Sequence, residues 1–92
     1  MKINQEQAVD VARLALTFIA EDQDRIARFL ALSGVGPTEI RARMQDPAFL
    51  AGVLDFLLGH EPDVLAFAEW AELNPELPKA ARYALPGAEG ME

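Results

Sequence analysis

The segment AFLAGVLDFLLG, residues 48–59, constrains this chain more than any other. It carries one charge, Asp55, and wound as a helix it is apolar on nearly every face. Asp46-Pro47 precedes it, a capping residue followed by a proline suited to the first helical position. Gly59-His60-Glu61-Pro62 breaks it. A helix of this kind, running from Pro47 to about Leu58, has to be enclosed. It is predicted to be the central helix of the domain or part of a dimer interface. Ala48, Ala51, Gly52, Asp55 and Gly59 fall near one side. An interior glycine costs about 1 kcal/mol relative to alanine in a helix. Close packing of another helix around Gly52 is the expected compensation.

The rest of the chain supplies the cover. Asn4 and Gln7 form a capping-box pattern for a helix running to Ala20. Its wet stripe is thin, consisting of Asp10, Arg13, Thr17 and Glu21. Asp22 caps a second helix, with Ile26, Phe29 and Leu30 spaced to face inward. Gly34 fits the left-handed position past its end. A short helix follows from Pro37 or Thr38 to about Met44, and another runs from about Pro62 to Leu73. From Pro75 onward the chain holds three of its six prolines, and Ala80 to Leu85 permits a turn or two of helix docking Tyr83 and Leu85. The prediction is an all-α fold, a compact single-domain bundle of four main helices plus one short helix. Residues 1–75 form the helical domain, and residues 76–92 a C-terminal tail that is partly mobile.

Charge is unevenly spread. The formal net charge is −7, which opposes a large basic footprint on nucleic acid. Residues 22–45, with Arg25, Arg28, Arg41 and Arg43, hold a net +1. Residues 46–74 hold −6 and no Lys or Arg. The two regions are expected to pack together and partly neutralise each other. There are no cysteines, which excludes disulfides, thiolate zinc sites and cysteine nucleophiles. MKINQEQ lacks a basic segment followed by an unbroken apolar stretch, so no signal peptide is expected. No apolar run is long enough to span a membrane. A cytoplasmic location is the expectation.

Chemistry-bearing residues are few: one His, one Ser, two Thr, one Tyr and two Lys. Ser33 sits at a helix end, where its hydroxyl serves the local backbone. His60 sits at the end of the central helix, where a cationic side chain complements the helix dipole. His60, Glu61 and Asp63 make a compact cluster, but capping of the following helix by Glu61 or Asp63 accounts for the acids better than a metal does. No catalytic residue, metal ligand or cofactor site is expected, and the chain is not expected to be an enzyme.

Ser33-Gly34-Val35-Gly36-Pro37 resembles the turn of a nucleic-acid-binding helix-hairpin-helix module. Gly34 and Gly36 with Arg41 and Arg43 are the candidate phosphate-binding residues. Against them stands Glu39 in the next turn, an acid where a phosphate needs a donor.

SGVGPTEIRARMQDPAFLAGVLDFLLGHEPDVLAFAE resembles a family of short alphaproteobacterial proteins, a domain of unknown function about as long as this chain. The likeness rests on the corner at Gly34 to Pro37, on Leu54 to Pro62, and on the pattern from Ala8 to Glu21. It implies a bacterial, cytoplasmic, all-helical protein and brings no activity, cofactor or site residues.

The expected function is that of a small non-catalytic protein-interaction or adaptor module, its partner another protein or, as a homodimer, itself. Candidate partner-binding residues are Phe49, Val53, Phe56, Phe67 and Trp70, on the helices starting near Pro47 and Pro62. The alternative is a nucleic-acid-binding protein using the turn at residues 33–38.

Overall fold

The computed structural model describes residues 1–87 and holds six helices and no strand among them. They are α1 Gln5–Ala20, α2 Gln23–Ser33, α3 Ile40–Arg43, α4 Pro47–Leu58, α5 Glu61–Ala71 and α6 Leu77–Tyr83. Local chemistry sets most boundaries. The Asn4 carboxamide accepts from the Gln7 N–H at 2.7 Å, and the Gln7 side chain returns a bond to the Asn4 N–H. Asp22 Oδ1 accepts from the Asp24 and Arg25 N–H groups, and Asp46 Oδ1 from that of Ala48. Gly34 ends α2 at φ 74°, a left-handed conformation that costs glycine little.

Of the two settings expected for it, α4 takes the central one, packed against α1, α2, α5 and α6. Leu50, Val53, Leu54 and Leu57 are fully enclosed, with Ile19 from α1 and Phe67 from α5. Burying each such side chain contributes roughly 1.5–3 kcal/mol.

Four expectations need correction. First, the short helix begins at Ile40; Pro37 to Glu39 form a turn in which the Glu39 N–H donates to the Gly36 carbonyl. Second, α5 has no side-chain cap, because Asp63 is drawn instead to arginines on α2. Third, the chain past residue 75 is not simply a tail. Helix α6 packs on α1 and α4, burying Pro78, Ala81 and Arg82, and Leu85 follows it into the core while Tyr83 stays exposed. Asp55 finds its donor there: Arg82 Nε lies 2.6 Å from its Oδ1, and a second Arg82 nitrogen donates to the Pro86 carbonyl. The helical unit therefore runs through Leu85, and residues 88–92 of the expected tail lie outside the described residues. Fourth, no helix closes on Gly52. A methyl group added there would meet no heavy atom within 4 Å beyond its own helix backbone among the described residues.

Each of these features has a measurable consequence. Asp55→Ala strands a guanidinium that is 8 % exposed, and is expected to cost about 2 kcal/mol in urea unfolding. Arg82→Met keeps the buried stem and leaves Asp55 to water; its expected cost is below about 1 kcal/mol. Gly52→Ala is expected to raise the unfolding midpoint in dilute solution, by about 0.5–1 kcal/mol, since helix propensity improves and nothing clashes. The backbone N–H bond from Arg25, then that from Asp24, and the charges of Arg25 and Arg28 hold the Asp22 carboxyl below its ordinary value despite some desolvation. The cap is thus fully stabilising above the unfolded carboxylate value and weakens as pH falls through the lower folded one. Asp22→Ala should lower the melting temperature at neutral pH, and that difference should shrink in acid.

Candidate functional site

The five apolar candidates do not form one face. Val53 and Phe67 are fully buried and belong to the core, while Phe49, 8 % exposed, is a core side chain that also edges onto the surface. Trp70 lies 40 % exposed on α5, its ring 5.6 Å from that of Phe18. Phe56 is half-buried on another side, against Phe29 of α2 at 5.4 Å. Helix α4 is covered from several directions at once, and the strip with Ala48, Gly52 and Asp55, between its contacts with α2 and α6, is left open.

That strip floors a groove of about 540 Å³. Phe29, Leu32 and Val35 line its α2 side; Phe49, Gly52 and Phe56 line its α4 side. The Phe29 ring stands edge-on to both other phenylalanines, 5.9 Å from Phe49. Edge-to-face contacts of this kind fix ring orientation. The small-residue strip seen in the sequence divides here, with Ala51 buried and Ala48, Gly52 and Gly59 exposed.

The groove is bordered by charge. Arg43 lies toward the α2–α3 side, and the Arg28 guanidinium stands 5.6 Å from the centre of the Phe56 ring. Asp46 and Asp55 lie on the α4 side. Neither Arg41 nor Arg43 makes an ion pair among the described residues. Sequence reasoning named Phe49 and Phe56 but missed Phe29, Leu32 and Val35 as site residues. Leu32 had a legible signal, an apolar side chain off the inward spacing of Ile26, Phe29 and Leu30.

In the Gly34–Pro37 turn, each N–H already has an acceptor. Gly34 donates to the Leu30 carbonyl, Val35 to Ser33 Oγ at 3.2 Å, and Gly36 to Glu39 Oε1 at 3.0 Å. The Glu39 carboxylate takes the place a phosphate oxygen would need.

A second polar cluster ties α2 to α5. Asp63, with its side chain 14 % exposed, faces Arg25 at 3.8 Å, Arg28 at 3.7 Å and His60 Nδ1 at 3.1 Å. Arg25 also lies over the Phe18 ring at 4.0 Å and donates to the Phe18 carbonyl. His60 is thereby placed against the Asp63 carboxylate at the edge of an arginine–aspartate cluster. Among the described residues no group of three or more acidic, His or Cys side chains is placed to hold a metal ion, and no helix is long and apolar enough to cross a membrane.

Neither a curated protein nor a solved structure matches the chain. Residues 5–88 match the family described as "Protein of unknown function (DUF3572)", a span that begins with α1 and continues past α6. With nearly its whole length matched, this all-helical chain belongs to that family.

Proposed function

We propose that the chain is a small, non-catalytic protein-interaction module that receives an amphipathic helical segment of a protein partner between α2 and α4. One observation carries this reading: the groove is walled by phenylalanines, and its floor is a mid-helix glycine whose added Cβ would meet nothing within 4 Å among the described residues beyond its own helix backbone. A helix-in-groove partner has its apolar side chains to bury, and bare backbone at Gly52 admits it closely. The groove volume, about 540 Å³, suits a few large side chains.

The non-catalytic part rests on how the reactive side chains are engaged. Ser33 Oγ serves Val35 and the Leu30 carbonyl, and His60 serves Asp63. No cofactor or metal enters the reading. The nucleic-acid alternative has less behind it, because Ser33 and Glu39 occupy the donors of the turn. The setting we infer is the bacterial cytoplasm, in an alphaproteobacterium, as the family resemblance implies.

Cross-linked capture from such a cell, compared between wild type and Gly52→Leu, tests the proposal. The leucine fills the groove where the chain itself has open space. Partners held by wild type should be depleted with the variant. Identical capture profiles would remove the reading's support.

A further inference from the structure

The groove is matched by the surface that borders it. Leu32 is 77 % exposed, the most exposed large apolar side chain among the described residues. It stands on the α2 wall, across the groove from Gly52 on α4. The walls also differ in charge. Arg28 and Arg43 belong to the α2–α3 side, Asp46 and Asp55 to the α4 side. Arg28 and Asp55 each have a partner within the chain, Asp63 at 3.7 Å and Arg82 at 2.6 Å, yet both side chains remain 53 % exposed. A fitting partner must therefore bring a protruding aliphatic side chain to Gly52, a basic edge to the α4 wall and an acidic edge to the α2 wall.

The same face, turned about a two-fold axis running along the groove, has that composition. The rotation lays α2 of one copy over α4 of the other. Leu32 then meets Gly52 twice, and each basic wall meets an acidic one. A contact in which one patch meets itself closes at two copies and leaves no open end. We propose, on the basis of the interaction reading above, that the occupant of the groove is a second copy of this chain, docked through α2 with each Leu32 seated over the other copy's Gly52. The net charge of −7 repels two copies at long range. That repulsion is screened beyond about 8 Å at physiological salt, whereas the opposed walls act at contact.

Sedimentation equilibrium of the full chain at physiological salt tests this. The mass is expected to rise from 10.1 kDa at high dilution toward twice that value with concentration. Leu32→Asp changes a solvent-exposed side chain, and Gly52→Leu fills open space. Both should keep the wild-type helical circular dichroism and raise the dimer dissociation constant at least about tenfold. The chain lacks cysteine, so a second readout is clean. Leu32→Cys copies mixed with Gly52→Cys copies should form a mixed disulfide under mild oxidation, and Leu32→Cys mixed with Glu69→Cys should not. A wild type that stays monomeric at every concentration overturns the second-copy proposal, as does a dimer that both variants leave intact. Failure of this kind is distinct from failure of the interaction reading, which falls only if the Gly52→Leu capture comparison, in which a second copy counts as a partner like any other, also shows no difference.

Discussion

Helix α4 buries Phe49, Leu50, Ala51, Val53, Leu54 and Leu57 in directions that no single neighbour can cover. Everything else in the fold answers that demand. Helix α1 covers one side with Val11, Ala12, Ala15 and Leu16 enclosed, α5 supplies Phe67, and α2 supplies Phe29. Helix α6 completes the enclosure. Without it, the side of α4 bearing Asp55 would lack both its apolar cover and the only guanidinium that reaches that carboxylate among the described residues. The single charge on the most apolar helix is thus met by the segment that docks beside it. A buried arginine with a half-exposed acid is a weak source of stability but a specific one.

A second link joins electrically unequal parts of the chain. The region around α2 has a slight excess of positive charge, and the α4–α5 region is strongly acidic. Arg25 and Arg28 converge on Asp63, and the Arg25 guanidinium stands over the Phe18 ring while doing so. The geometry explains why α5 forgoes a side-chain cap: Asp63 in its first turn is committed to arginines across the interface. With Arg–Asp63 distances of 3.7–3.8 Å and Arg28 half-exposed, each pair is of the ordinary surface kind, which contributes at most about 1 kcal/mol. Arg41 and Arg43 take no part, so the neutralisation expected of all four arginines is achieved by two.

The groove between α2 and α4 is what remains once α4 has been covered from its other sides. Its floor is Gly52, at a helical position where alanine would be the better choice for the chain alone. Its walls present Leu32 to solvent and keep Phe29 and Phe56 ordered by edge contacts. Such a surface is costly for an isolated monomer and useful to one that binds, and a contact through it would cover Leu32 and Gly52 together.

Helix starts and stops were legible from residues alone. Asn4 with Gln7, Asp22, Asp46 with Pro47, and Gly34 all act through hydrogen bonds or backbone freedom within three residues of themselves. The enclosure of α4 was legible too, because a helix apolar all round has no alternative in water. Other features lay beyond that reach. Whether Gly52 faces a neighbour or open space, whether Phe49 and Phe67 line a surface or fill a core, and which arginine meets Asp55 depend on how helices distant in sequence are rotated against each other. For Asp55 the answer lay 27 residues away, in a proline-rich stretch that read as a tail. The sequence by itself determined where α1, α2, α4 and α5 form and that α4 must be enclosed; only the tertiary structure decided where α3 starts, that α6 docks, and which side of α4 stays uncovered, because these are set by the combined packing of helices distant in sequence and not by any local pattern.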